Sequence, residues 1–308
     1  MTRRPRHLAI VGPTASGKSA LALQLARRRP DVEILAVDSM QVYRGMDIGT
    51  AKPTLPEQAE VPHHLLDLAD PAEEFTVARF QAAARRALQA VEGRGHRALL
   101  VAGTGLYLRA VVDDLDLPGR WPELRAELEA RATTPKAVSA LHARLAALDP
   151  PAAARIQPAD SRRVVRALEV TWGSGRPFSS FGPGLGAYPP SPIAQVGLRP
   201  PPAELDGRIE RRLAAMLDAG LVEEARRLHA RPAGLSRTAG QALGYREVLA
   251  HLAGERTLEE AAAEAVRRTR AFARRQLRWF RRDPRIAWVD DPGKALAAVA
   301  PLLGDWAA

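Results

Sequence analysis

The sequence of 308 residues contains no cysteine, which removes disulfides, thiolate chemistry and cysteine-ligated zinc from consideration. It has no unbroken run of about 18 apolar residues, the length needed to cross a bilayer. A strand pattern begins already at Leu8-Ala9-Ile10-Val11, so no signal peptide is expected before the fold. These absences point to a cytoplasmic protein with no membrane association. Lysine is scarce too: among 45 Lys+Arg it stands only at positions 18, 52, 136 and 294. Acidic residues, 35 in all, leave a formal net charge of +10. That surplus is either the footprint of a polyanionic partner or a drift toward arginine spread over the surface, and the placement of the arginines must decide. Apolar content of 46% with 26% charged residues is that of a soluble globular protein. The length suffices for one domain with an insertion, or for two.

What is present first is Gly12-Pro13-Thr14-Ala15-Ser16-Gly17-Lys18-Ser19, between an apolar strand and the helix-forming series Ala20 to Ala26. Strand, glycine-bounded loop, Gly-Lys-Ser and helix together form a P-loop, a stronger signal than the eight residues alone. The glycines let several backbone N–H groups converge, and the following helix adds its free N–H groups and dipole. Lys18 brings a mobile ammonium to an outer phosphate, and Ser19 offers a hydroxyl to Mg²⁺. In a chain this rich in arginine, retention of lysine at 18 fits a need for a flexible point charge rather than a planar fork. The loop therefore binds a phosphorylated ligand, a diphosphate or a nucleotide, without saying which.

Glu33 to Val37 reads as a second strand buried on both faces. Ligands of open α/β sheets sit beyond the carboxyl ends of strands, so Asp38 is expected beside the P-loop. Its carboxylate suits a water-mediated Mg²⁺ contact, a general base or a helix N-cap. Gly45 to Pro53, carrying Lys52, reads as an irregular loop near the phosphate site. His63-His64 lacks partners at metal-ligand spacing and is not expected to bind a metal. Phe75 to Val91 reads as an amphipathic helix and Arg97 to Ala102 as a third buried strand, ending in Gly103-Thr104-Gly105. Many P-loop proteins carry an Asp for Mg²⁺ after such a strand. Threonine here implies that phosphates are handled differently from those of ATP.

Residues 121–171 are polar and helical, with segments 123–132, 135–148 and 161–172 separated by prolines at 118, 122, 135, 150, 151 and 158. Arg162, Arg163 and Arg166 lead the last of these. Gly173 to Pro192 reads as a loop or hinge, and Ala194 to Leu198 returns to strand. The remainder is mostly helix. Thr257-Leu258-Glu259-Glu260 is a capping box that opens a helix to about Arg282. Its arginines at 267, 268, 270, 274, 275, 278, 281 and 282 crowd one side, while Phe272, Gln276, Trp279 and Phe280 fall on the other. Charge runs are usually solvated faces. With no acid between 265 and 282, this one is read as a face for a phosphate backbone, and Gln276 as a buried amide fixing the helix to a neighbouring loop. The fold class is α/β: a P-loop NTPase-like parallel sheet flanked by helices, with residues 1–119 and 188–308 as catalytic core and 120–187 as a small helical insertion domain.

The P-loop followed by Asp38-Ser39-Met40-Gln41-Val42-Tyr43-Arg44-Gly45-Met46-Asp47-Ile48-Gly49-Thr50-Ala51-Lys52-Pro53 resembles the bacterial tRNA dimethylallyltransferase (isopentenyltransferase) family. Gly103-Thr104-Gly105-Leu106-Tyr107, Arg162 to Val170, Gly244-Tyr245 and Arg275-Gln276 with Trp279-Phe280 extend the resemblance over nearly the whole chain. Ala102 stands where the family usually has glycine, and Leu277-Arg278 replaces a more usual apolar-Thr pair. Neither change removes a chemically active group, though Arg278 alters the RNA-facing surface.

The resemblance implies transfer of a dimethylallyl group from dimethylallyl diphosphate to N6 of adenine 37 in tRNAs reading codons that begin with U. It implies Asp38 as general base, Thr104 on the diphosphate or the adenine, and Lys18 with Mg²⁺ on Ser19 holding the leaving group. Asp38, Ser39, Met40, Gln41 and Thr104 would face the target adenosine. Arg125, Arg162, Arg163, Val164, Val165 and Arg166 would meet the anticodon stem-loop, with Arg274, Arg275, Gln276 and Arg278 as further tRNA contacts of a monomer. Two other functions share parts of this pattern. A P-loop small-molecule kinase would not need the charge of +10, and a nucleotide-switched RNA-binding module would not need Asp38.

Overall fold

A computed structural model describes residues 7–290, 294–297 and 299. The chain forms two compact units: one takes the chain to Asp114 and resumes at Pro190, and the other is Leu115–Pro189.

The first unit opens with β1 (His7–Val11), α1 (Lys18–Arg27), β2 (Val32–Val37), α2 (Leu55–Glu60), β3 (His63–His64), α3 (Val77–Gly93), β4 (Arg97–Ala102) and α4 (Gly105–Val112). The second holds α5 (Pro122–Arg131), α6 (Pro135–Leu148), α7 (Pro150–Arg155) and α8 (Ser161–Ser174). The chain then returns through β5 (Ile193–Leu198), α9 (Pro202–Asp218), α10 (Leu221–His229), α11 (Arg237–Gly240), α12 (Tyr245–Leu252), α13 (Leu258–Phe280) and β6 (Ile286–Val289).

The strands make one six-stranded parallel sheet in the order β3-β2-β4-β1-β5-β6. Ile10 of β1 stands opposite Val101 of β4 and Val196 of β5. Successive residues of a strand point to opposite faces, and here both faces are covered. Ala9, Val11, Leu35 and Leu100 enter one core with Phe80, Tyr107 and Tyr245. Leu8, Ile10, Ile34 and Leu99 enter another with Leu21, Ala22 and Leu25 of α1. Burial on both sides is why these strands read as unbroken apolar runs. From β1 the chain steps outward to β2, fills the gap with β4, then crosses to β5 on the other side. The carboxyl end of β1 is therefore the switch point at which such sheets open a crevice.

β6 lies outside the sequence expectation, which took the remainder as mostly helix and assigned no strand after about Arg282; four residues are too few for a periodic signal, and its parallel register on β5 supplies the strand. Prolines 122, 135 and 150 each open a helix in the second unit, where a missing N–H costs nothing. Its core is Leu128, Leu145, Val164, Val165 and Leu168. Among the described residues no helix is long and apolar enough to cross a membrane.

Candidate functional site

The loop after β1 curls tightly enough that only glycine fits at its start. Gly12 has φ 151°, and a Cβ there would meet Leu198 O at 2.7 Å and Ser16 Oγ at 3.0 Å. Gly17 takes the left-handed region, φ 92°, as N-cap of α1, leaving the first N–H groups of the helix turned toward the loop. Ser16 is buried, and Lys18 Nζ donates to Pro13 O at 2.6 Å. Pro13, Thr14 and Ala15 form the remaining arc of the cradle.

Lys18 lies in the interior, and its pKa falls to about 7 because burial disfavours the ammonium and Arg212 repels it, while Asp38 acts in the opposite sense. Arg212, from α9, places a nitrogen 3.5 Å from Thr14 Oγ1. Burial lowers its pKa as well, again opposed by Asp38. A guanidinium and an ammonium thus share one loop, an arrangement suited to a diphosphate. Arg212 carries no signal in the sequence, where it is one arginine among many on an amphipathic helix.

The end of β2 faces the end of β4. Asp38 Oδ1 accepts the backbone N–H groups of Met40 at 2.7 Å and Gln41 at 3.4 Å. Its other oxygen lies 3.5 Å from where a Cβ on Gly103 would stand. Thr104 Oγ1 accepts the N–H of Ser39 at 3.2 Å and donates to Ser39 Oγ at 3.3 Å, so Thr104 ties the two strand ends together. Gln41 Nε2 donates to Thr50 O and Ala51 O, both at 3.1 Å. Lys52 turns inward, onto Asp47 at 2.5 Å, Asp67 at 2.6 Å and the carbonyl of Tyr43. It braces the loop and does not extend the phosphate site. His63 and His64 bond to Val61 O and to Glu33.

Gln276 accomplishes what its buried position on α13 suggested: it bonds Thr14 N–H and Gly103 O. Its placement among tRNA-contacting side chains is corrected, because both ends of the amide are committed inside. The arginine face of α13 needs a second correction. Arg267 pairs with Glu264, Arg268 with Glu247 of α12, and Arg270 with Glu210 and Asp206 of α9. These acids lie outside 265–282. Arg274 and Arg278 are exposed and among the described residues pair with no acid, and Arg275 lies 5.7 Å over the Phe272 ring. The basic surface is the second half of the helix.

In the helical unit, Arg162 and Arg163 are exposed, with Arg163 next to Asp160 at 3.2 Å. Arg125 and Arg166 both approach the buried Glu169, at 3.5 and 2.9 Å. Val164 and Val165 lie in the core of this unit. Their side chains offer nothing to a partner, which corrects their place among the contact residues.

Ser19 is exposed at the mouth of the P-loop, and among the described residues its hydroxyl has no hydrogen-bond partner. No group of three or more His, Asp or Glu among the described residues forms a cage for a metal. This donor set fits Mg²⁺, which commonly takes few protein ligands and completes its shell with substrate phosphate and water.

A family model described as IPP transferase matches residues 41–283, and one described as isopentenyl transferase matches residues 5–69. A tRNA dimethylallyltransferase of Streptomyces avermitilis is 49% identical over 298 residues, covering 97% of this chain and 94% of that protein. One from Streptomyces coelicolor is 50% identical over 285 residues, covering 92% and 90%. Among solved structures, the full-length tRNA isopentenylpyrophosphate transferase of Bacillus halodurans superposes with a TM-score of 0.70 at 39% identity, over 98% of this chain and 96% of that one. A eukaryotic dimethylallyltransferase captured acting on tRNA superposes with a TM-score of 0.78 at 26% identity, over 96% and 77%.

Proposed function

This chain belongs to the IPP transferase family and is an enzyme that transfers a dimethylallyl group to tRNA; from that premise we propose that the acceptor is N6 of adenine 37 in the anticodon loop of tRNAs reading codons that begin with U, with diphosphate released. The small-molecule kinase reading falls with family membership. One observation carries the assignment of roles: Gln276 bonds both Thr14 N–H of the P-loop and Gly103 O, and Asp38 lies against Gly103, so a proton acceptor and a diphosphate cradle share one crevice.

The P-loop N–H groups, Lys18 and Arg212 hold the diphosphate of the donor and stabilise the charge that grows on it as the allylic C–O bond breaks. The Ser19 hydroxyl would hold Mg²⁺, which when bound would supply further neutralisation of that leaving group. The allylic carbon bears the positive charge left behind. The exocyclic amine is a poor nucleophile because its lone pair is delocalised into the ring. As the C–N bond forms, Asp38 takes the amine proton. The base must leave its stack to reach this position, and Ser39, Met40, Gln41 and Thr104 line the approach. Thr104 hydrogen-bonds either the diphosphate or the adenine once its hydroxyl turns from Ser39.

Arg274, Arg275 and Arg278 supply phosphate contacts from the first unit. Arg162 and Arg163 supply them from the helical unit, with Arg125 and Arg166 offering the N–H groups that Glu169 leaves over. The enzyme works as a monomer in the cytoplasm, where its acceptor resides.

Single-turnover prenylation of unmodified tRNA with labelled dimethylallyl diphosphate tests this reading. Asp38→Asn should lose about 10²–10⁴ in rate while still binding tRNA. Label should map to the nucleoside at position 37 and vanish when that adenine is replaced by guanine. Equal rates for mutant and wild type would sink the base assignment, and label elsewhere would sink the acceptor.

A further inference from the structure

The segment after Asp38 closes a small helical turn whose two ends are held by side chains from elsewhere. Ala51 N–H donates to Ile48 O and Lys52 N–H to Asp47 O, each at 3.0 Å. Thr50 Oγ1 donates to Met46 O at 2.7 Å. A turn of this kind leaves its first N–H groups without partners inside it. Glu224 of α10, buried beneath it, accepts all three: Asp47 at 3.0 Å, Ile48 at 2.9 Å and Gly49 at 3.1 Å. Tyr245, at the start of α12, donates its hydroxyl to the same carboxylate at 2.6 Å. The Tyr245 ring fits flush against Gly49, where a Cβ would come within 2.4 Å of it. The ammonium of Lys52 folds back onto the side chains of Asp47 and Asp67 and onto Tyr43 O. A negative charge thus caps the positive end of the turn.

This turn is connected to the chemistry. Its carbonyls at Thr50 and Ala51 hold the side-chain amide of Gln41. The backbone N–H groups of Met40 and Gln41 in turn hold Asp38 Oδ1. Glu224 is remote in sequence and touches no reacting atom. Four donors satisfy its two oxygens in the interior.

We propose that Glu224, with Tyr245, is a positioning residue for prenyl transfer: by capping the 47–52 turn it fixes Gln41 and, through it, the carboxylate of Asp38. The inference rests on Asp38 being the base. If the turn loosens, Asp38 Oδ1 loses the two backbone N–H groups that aim it, and the step in which it takes the proton slows. The P-loop lies outside this path, so capture of dimethylallyl diphosphate is spared.

The test is the single-turnover rate of Glu224→Gln and Tyr245→Phe in the full chain, with the donor concentration for half saturation measured alongside. Glu224→Gln turns an amide N–H₂ toward backbone donors. It should slow the step about tenfold, a misplacement of well under an ångström. Donor half-saturation should stay within about twofold, since no group of the phosphate cradle is touched. Tyr245→Phe should slow the step by less, and it carries the test alone if Glu224→Gln does not fold. Added to Asp38→Asn, either change should slow the residual rate little further, because both act through Asp38. A folded variant at the wild-type rate, or one that slows Asp38→Asn as much as it slows wild type, overturns the inference and leaves Asp38 in place. An Asp38→Asn protein at the wild-type rate removes Asp38 as base, and this inference with it.

Discussion

Gln276 accepts the backbone N–H of Thr14 at 2.9 Å, across 262 residues of sequence. Its amide nitrogen donates to Gly103 O at 2.8 Å. One buried side chain of α13 therefore stitches the P-loop to the loop that carries Thr104. Gln276→Leu keeps the volume and orphans both groups, each a loss of about 1–3 kcal/mol when water cannot replace the partner. The expected outcome is a lower melting temperature and weaker binding of inorganic diphosphate by calorimetry. Unchanged diphosphate affinity in a folded variant would show that the stitch does not shape the P-loop.

Lys18 makes the free protein sensitive to alkaline pH in a definite direction. Its pKa drops from 10.5 in the unfolded chain to about 7 in the fold. Between those values the unfolded chain holds the extra proton, so stability of the ligand-free protein rises as pH climbs through that window. Below about pH 7 the burial cost is fully present. Diphosphate restores the charge, so at about pH 8 binding should take up a proton. Calorimetry in buffers of different ionisation enthalpy should detect that uptake in wild type and lose it in Lys18→Ala. Identical proton balance in both proteins contradicts the prediction.

The basic half of α13 is separable from its paired half. Arg274→Ala with Arg278→Ala should weaken tRNA binding and flatten log K against log[salt] by roughly 0.7–0.9 for each phosphate no longer neutralised. Arg267→Ala, whose guanidinium already bonds Glu264, should leave the slope nearly unchanged. An equal effect from both changes would mean that the face acts only through bulk charge.

Glu33, at the opposite edge of the sheet, governs acid stability. Arg94 hydrogen-bonds it at 2.7 and 2.8 Å, and His64 and His96 add to the cluster. These partners, Arg94 first, hold its pKa down at about 2, against 4.5 unfolded. Its contribution is complete above about pH 4.5 and disappears as pH falls toward 2. By linkage that is on the order of 3 kcal/mol. Urea unfolding at about pH 7 and about pH 3 should show wild type losing more stability than Glu33→Gln. Parallel losses in the two would place the acid sensitivity elsewhere.

The sequence by itself determined what is local. Strand, P-loop and helix are contiguous from His7 to Arg27, so the cradle is set by neighbouring residues and by glycine's backbone freedom at Gly12 and Gly17. The runs that became β2, β4 and β5 were legible because burial on both faces removes polar positions from a strand. The capping box of α13 announced its start within one residue, at Leu258. Asp38 was legible as a strand-end carboxylate, since parallel strands deliver their carboxyl ends to one edge. Only the tertiary structure decided the rest. Arg212 reaches Thr14 from a helix 198 positions away, and nothing in its own neighbourhood marks it among the other arginines. The acids that neutralise Arg268 and Arg270 come from α12 and α9, so an apparently unopposed charge run is paired over its first part. Glu224 reads as one more surface glutamate in Val222-Glu223-Glu224-Ala225, and its burial follows only when α10 docks beneath the 47–52 turn. Charge and hydrogen-bond partners act through space at about 3–4 Å, a distance that sequence spacing does not encode once the chain has folded back on itself.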